Sequence, residues 1–182
     1  GVQTCALPIL QKMNAPHFVN RVRDIASEIL CPPEDSFCAR LDTDGYRIVT
    51  TLDWTMQQAA DKWAAAVLAA DMKDPAPYLA ALGVPKVDWI AKIKKTNLHN
   101  AAIATLDART GDVLAYTGSA DYYATSSSPA FQPQFDVLNA YRQPGSAIKP
   151  LVYAYALQER AITPSTLFMD VPVDFGEGWT PA

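Results

Sequence analysis

Two short apolar runs, residues 101–107 and 112–118, face each other across Ala108-Arg109-Thr110-Gly111. The spacing predicts a β-hairpin, with Gly111 supplying the positive φ that such a turn needs. Both runs are apolar at nearly every position, the pattern of a sheet covered on both faces. With the helices read along the rest of the chain, the fold class expected is α/β in the broad (α+β) sense, an antiparallel hairpin packed with helices. A chain of 182 residues, 49% of them apolar, is long enough for one sizeable core.

The covering elements can be placed. Residues 17–30 read as a helix with Phe18, Val22, Ile25, Ile29 and Leu30 on one side. Residues 31–44 read as Pro- and Asp-rich loop, and Tyr46–Thr51 as a short strand rich in β-branched residues. Asp53 is a suitable N-cap for a helix from about Trp54 to Asp71, with Met56, Ala59, Ala60, Trp63, Val67 and Leu68 as its buried stripe. Residues 72–99, punctuated by Pro75, Pro77 and Pro85, read as an insertion with a short helix at Val87–Lys95 and a solvated Lys92, Lys94, Lys95 face. Residues 119–134, including Ser126-Ser127-Ser128, read as a flexible polar loop, and the chain from Thr163 as a Pro-rich extended stretch. No internal repeat is visible.

Composition removes several classes of function. A net charge of −4 argues against a nucleic-acid surface, which needs clustered Lys and Arg. No apolar run reaches membrane-spanning length, and Ala64–Ala70 sits within an amphipathic pattern. His17 and His99 lack ligand-like spacing and read as surface or capping residues, so neither a metal nor a cofactor is expected. The first nine residues, Gly1–Ile9, resemble a translated library adapter and are treated as a scar. That leaves Cys31 and Cys38, with two readings open: free thiols, or a small-loop disulfide in an oxidising compartment.

The chemistry concentrates at Arg142-Gln143-Pro144-Gly145-Ser146-Ala147-Ile148-Lys149-Pro150. A bare S-x-x-K arises by chance about once per few hundred residues. Here a Pro-Gly turn precedes it, and Ile148, Leu151, Val152, Tyr155 and Ala156 follow at helical spacing. Helix positions i and i+3 share a face, so the Ser146 hydroxyl and the Lys149 amine can come within hydrogen-bond reach. The free N–H groups of a helix start suit an oxyanion, and a serine beside a base is a candidate nucleophile. Pro150 conflicts with a helix through Ser146, because it would leave the Ser146 carbonyl unpartnered; a later helix start removes the conflict.

This segment resembles the active-site serine motif of penicillin-binding proteins, in the transpeptidase domain of the bifunctional class A type. Gly45–Asp53 with Met56–Ala60 is similar to the opening of that domain. Asn100–Asp107, Thr110–Ala115 and Gly118-Ser119 are similar to its first hairpin. The likeness covers roughly residues 15–182 and implies a partial DD-peptidase/β-lactamase-like fold with its C-terminal half missing. The implied layout is an adapter scar at 1–9, a linker at 10–44, and the N-terminal part of the penicillin-binding domain at 45–182. Ser146 would be the nucleophile, Lys149 its base, and the Ser146 backbone N–H half of an oxyanion hole, with Pro144, Gly145 and Pro150 supporting the motif. The implied partners are peptidoglycan stem peptides ending in D-Ala-D-Ala, β-lactams, and the membrane through a missing N-terminal anchor, with an upstream glycosyltransferase domain and an extracytoplasmic location.

Two further family motifs, S-x-N and K-[ST]-G, do not follow Ser146. Lys95-Thr96-Asn97 lacks the glycine and Arg109-Thr110-Gly111 the lysine, and both precede Ser146; they are decoys. The expectation is a transpeptidase whose 182-residue piece is not competent alone. The alternatives are a serine β-lactamase or D,D-carboxypeptidase, a penicillin-binding sensor, and a structural domain with a chance S-x-x-K.

Overall fold

The computed structural model describes residues 12–32, 38–85, 88–93, 96, 98–125, 131–169 and 171. The Gly1–Ile9 segment, Ser126–Ser128, Lys94, Lys95, Asn97 and Trp179–Ala182 lie outside them. The chain divides into two compact units, Gly1–Ala140 and Tyr141–Ala182.

The first unit is built around the hairpin. β1 (Ile103–Leu106) pairs antiparallel with β2 (Val113–Thr117), Ile103 opposite Thr117 and Leu106 opposite Val113, with an irregularity at Thr105/Leu106. Gly111 takes φ +80°, as the turn requires. Its N–H donates to the Asp107 carbonyl at 2.8 Å, and the Asp107 side chain accepts from the Arg109 N–H. Arg109-Thr110-Gly111 is therefore turn structure.

Cover on both faces is nearest to complete in β2, which is buried on one face and half-buried on the other. Ala115 and Thr117 are buried on the face that meets α3 (Trp54–Ala66), while Tyr116, pointing the other way, meets Phe18 of α1 (Pro16–Leu30) at 6.5 Å between ring centroids. In β1, Ala104 and Leu106 are exposed. β1 has no second strand beside it among the described residues, so its outer positions lack cover.

α3 begins where expected: the Asp53 side chain accepts from the Met56 N–H at 2.9 Å. After Ala66 the chain tightens into a 3-10 turn, Val67–Asp71. The buried stripe differs from the sequence expectation. Gln57, Ala60, Ala64 and Val67 are buried, whereas Met56, Ala59 and Trp63 are exposed. The cause is the outer edge of β2. Tyr116 turns its N–H and carbonyl away from β1, and Gln57 pairs with both: its Oε1 accepts from the Tyr116 N–H at 2.8 Å and its Nε2 donates to the Tyr116 carbonyl at 3.3 Å. The Asp53 N–H donates to the Leu114 carbonyl one step along the same edge. A side-chain amide thus does what another strand would do there, and alanines let the helix approach closely.

The residues called strand at Tyr46–Thr51 form no ladder. They are extended, and hydrogen bonding to β2 begins at Thr51, whose Oγ1 donates to the Val113 carbonyl at 2.7 Å. The loop at 31–44 contains a helical turn, α2 (Arg40–Thr43), held by Arg23 and Arg40 contacts to Asp42 and Asp44. The 72–99 segment folds as α4 (Ala76–Ala81) and α5 (Asp88–Ile93). Its Leu79, Val84 and Ile90 form a cluster with Ala66 and Ala69. Among the described residues no helix is long and apolar enough to cross a membrane.

α1 is narrower in its contacts than its pattern suggested: Phe18 is buried, but Ile25 and Ile29 are exposed. Its end carries Cys31, joined in a disulfide to Cys38 with the Cα atoms 5.6 Å apart.

Candidate active site

The Ser146 turn lies in the second unit. Pro144 leads into a 3-10 turn, Gly145–Ile148, which runs directly into α6 (Lys149–Gln158). Gly145 takes φ +52°, where a Cβ is strained, and a Cβ there would meet nothing within 4 Å; conformation alone requires the glycine. The Ala147 N–H donates to the Pro144 carbonyl at 3.1 Å.

The Pro150 conflict is resolved by this geometry. α6 starts at Lys149, which places Pro150 in the first helical turn, where its missing N–H costs nothing. The Ser146 carbonyl accepts from the Lys149 N–H instead, closing the 3-10 turn. The Ser146 N–H has no intramolecular acceptor among the described residues. It is one of the open donors of a helical start and suits an oxyanion.

Ser146 and Lys149 are one turn apart on this scaffold, and both side chains are exposed without a hydrogen bond between them. α6 is apolar nearly all round, and Leu151, Tyr153 and Tyr155 stand exposed at 68%, 50% and 66%. The helix ends at Arg160 with φ +57°, and the Ala161 N–H returns to the Ala156 carbonyl at 2.9 Å.

A second polar constellation, unsuspected from sequence, lies in the first unit. His17 is buried, not on the surface, and its Nε2 is 3.0 Å from Ser119 Oγ. Ser119 donates its proton to the Pro133 carbonyl, so His17 is the donor to Ser119. This is a serine–histidine contact of the wrong polarity for a nucleophile: the imidazole offers no lone pair to the hydroxyl, and Ser119 is 3% exposed. Burial pushes the His17 imidazole below its usual value, opposed by Asp136, the Pro133 carbonyl and Asp61. The neighbouring Tyr116 phenol is pushed up to about 12, chiefly by burial and then by its hydrogen bond to Asp136. Gly118 lets these groups meet: a Cβ there would lie 2.6 Å from Asp136 Oδ1 and 2.7 Å from His17 Cγ. Residues 118–120 are therefore packed rather than loose, with the Ala120 N–H donating to Asn100 Oδ1 at 2.8 Å.

His99 contacts Asp71 through Nδ1 at 2.6 Å. Gln57 and Gly118 entered the sequence reading only as members of segments similar to the family, and Asp136 did not enter it; their roles come from what the fold sets beside them.

Residues 101–181 match the family described as penicillin binding protein transpeptidase domain. That stretch, a little under half of the chain, is similar to this family, whose fold is the penicillin-binding/β-lactamase-like α/β type. Its relatives include penicillin-binding protein 1A of Neisseria flavescens, 37% identical over 90 residues, which is 46% of this chain and 10% of that protein. The protein of the same name from Neisseria gonorrhoeae is 38% identical over 90 residues, with the same shares. That from Rickettsia bellii is 38% identical over 80 residues, 43% of this chain and 9% of the relative. The chain thus covers about a tenth of the length of the relatives it matches. No solved structure matches it significantly.

Proposed function

We propose that the chain is part of a peptidoglycan D,D-transpeptidase that works through a Ser146 acyl-enzyme. The observation that carries this is the Ser146 turn itself, a serine with an unpartnered N–H at a helical start, one turn before Lys149, inside the stretch that matches the family. Ser146 Oγ attacks the carbonyl of the penultimate D-alanine, and Lys149 takes its proton. The oxyanion rests on the Ser146 N–H. The C–N bond breaks, D-alanine leaves with the proton from Lys149, and an acyl-enzyme remains. An amine of a neighbouring stem peptide attacks the ester, which forms the cross-link and frees Ser146. A β-lactam acylates the same oxygen by ring opening, with no leaving group to diffuse away.

For Lys149 to act as base it must be neutral, and burial or a neighbouring cation is what favours that state. Lys149 is exposed among the described residues, and the S-x-N and K-[ST]-G motifs are absent from the chain. The walls of the site therefore come from sequence outside these 182 residues. An apolar helix such as α6 belongs inside such a body. The layout is residues 1–9 as adapter scar, 10–44 as linker, and 45–182 as the N-terminal part of the penicillin-binding domain. The whole protein carries a glycosyltransferase domain upstream and is anchored at the extracytoplasmic face of the membrane. The Cys31–Cys38 disulfide is compatible with that compartment. Fluorescent penicillin incubated with the 182-residue chain tests the competence claim. No stable label is expected; stoichiometric labelling at Ser146 overturns it.

A further inference from the structure

Asp44-Gly45, the only Asp-Gly step in the chain, carries a chemistry of its own. Before glycine an aspartate can cyclise, because no side chain shields the following nitrogen. The Gly45 nitrogen attacks Asp44 Cγ, a C–N bond forms, and the carboxyl OH leaves with the amide hydrogen as water. Water then opens the succinimide ring. Cleavage of the C–N bond at the Asp44 main-chain carbonyl leaves the peptide running through Cγ, which is isoaspartate. No oxidant, metal or partner enters the reaction. Asp44 and Gly45 are both exposed, and the Gly45 N–H donates to no acceptor among the described residues.

The fold restrains this reaction twice. Ring closure needs a ψ that brings the Gly45 nitrogen into line with Asp44 Cβ. Asp44 ends α2 with ψ −2°, which lines that nitrogen up with the Asp44 nitrogen instead. The carboxylate is also pinned: Oδ2 accepts from Arg40 Nε at 3.1 Å and from the Tyr46 hydroxyl at 3.3 Å, and Oδ1 from Thr43 Oγ1 at 3.0 Å. Arg40 and then Thr43 hold its pKa below the usual value, so the poorly electrophilic carboxylate form prevails. Both restraints depend on α2, a single turn of four residues that is too short to persist alone. Its Leu41 N–H donates to the Cys38 carbonyl at 3.0 Å, and Cys38 is joined to Cys31 at the end of α1. Arg23 of α1 reaches Asp42 at 3.1 Å.

We infer that Asp44-Gly45 is a site of spontaneous isoaspartate formation gated by α2: slow while Arg40 and the Cys31–Cys38 bond hold that turn, and fast once it opens. The product carries an extra methylene in the main chain where Gly45, at φ +69°, leads α2 into the extended 46–51 stretch. The modification therefore records loss of the disulfide or of the turn it supports. The site lies wholly in the first unit and does not rest on the assignment of Ser146.

The test incubates the oxidised 182-residue chain at neutral pH and follows the isomer, whose mass is unchanged, by chromatography and electron-transfer fragmentation of the peptide holding Asp44. A free peptide of residues 39–50, which has no folded turn, is the reference. It should isomerise at least about tenfold faster than the folded chain, since reaction at a structured site waits on local opening. Arg40→Ala, a change at an exposed position, should speed the reaction about two- to fivefold, the span an exposed ion pair allows. Tyr46→Phe, which removes one hydroxyl from the Asp44 carboxylate, should fall between Arg40→Ala and the parent chain. Reduction of Cys31–Cys38 should speed the reaction at least about threefold. Far-UV spectra check that each variant is folded. A folded oxidised chain that isomerises as fast as the peptide, or an unchanged rate after reduction or in folded Arg40→Ala, overturns the inference. So does faster isoaspartate formation at another aspartate of the reduced chain.

Discussion

Replacing Gln57 with leucine is the sharpest perturbation of the fold. Gln57 is fully buried, and its amide makes four contacts: it accepts from the Tyr116 N–H and donates to the Tyr116 carbonyl, Thr117 Oγ1 and Asp61 Oδ1. Leucine has nearly the same volume, so the change leaves little cavity and tests hydrogen bonding. The Tyr116 N–H is orphaned, at about 1–3 kcal/mol for a buried donor. The lost bonds to the Tyr116 carbonyl and to Thr117 add about 1 kcal/mol each. Thr117 keeps its 2.6 Å bond to Asp61, and the backbone bonds are only part-buried, so water and the added apolar burial offset some of this. The expected loss is about 2–4 kcal/mol. Urea unfolding followed by far-UV circular dichroism measures it. Amide hydrogen exchange reads the cause directly, because the Tyr116 amide should exchange at least tenfold faster while amides in α4 and α5 change less. A loss under about 0.5 kcal/mol with Tyr116 protection intact would refute the view that this glutamine substitutes for a strand.

Gly118→Ala should destabilise the first unit by about 1–3 kcal/mol, since the new methyl must displace the His17 ring and the Asp136 carboxylate; urea unfolding checks it. Because His17 binds its proton less readily when folded than when unfolded, the unfolded state takes up more protons as pH falls. Stability from this group is complete above about pH 6.5 and is lost below it, so unfolding midpoints should drop from pH 7 to 5, less steeply in His17→Gln. Reduction should raise the intact mass by about 2 Da, one hydrogen per sulfur of Cys31 and Cys38, and Cys38→Ser should cost about 2–3 kcal/mol for so short a loop.

The elements most legible in the sequence were those with local chemistry. Asp53 caps α3, Gly111 makes the hairpin turn, and Pro144-Gly145 sets up the Ser146 turn, each through its own dihedral or hydrogen-bond preference. The choice of buried face on α3 was not legible. Met56 and Trp63 carry more apolar surface than Gln57, but the open edge of β2 selects the amide, and periodicity carries no record of that edge. The same holds for Ala104 and Leu106, which read as buried because apolar composition does not tell an edge strand from a covered one. His17 looked like a surface histidine because nothing near it in sequence announces Ser119, Pro133 or Asp136, more than a hundred residues away. At Ser146 the residue types gave the candidate chemistry, and the later helix start that relieves Pro150 is the one the backbone takes.

The most direct test of the central claim is to locate the acyl group. The protein expressed from its complete reading frame is treated with benzylpenicillin, digested, and mapped by tandem mass spectrometry. The adduct is expected on the peptide containing Ser146, absent in Ser146→Ala, and formed far more slowly in Lys149→Ala. An adduct on another serine, or no adduct in a protein that carries both S-x-N and K-[ST]-G after residue 182, contradicts the assignment of Ser146 as the acyl-enzyme nucleophile.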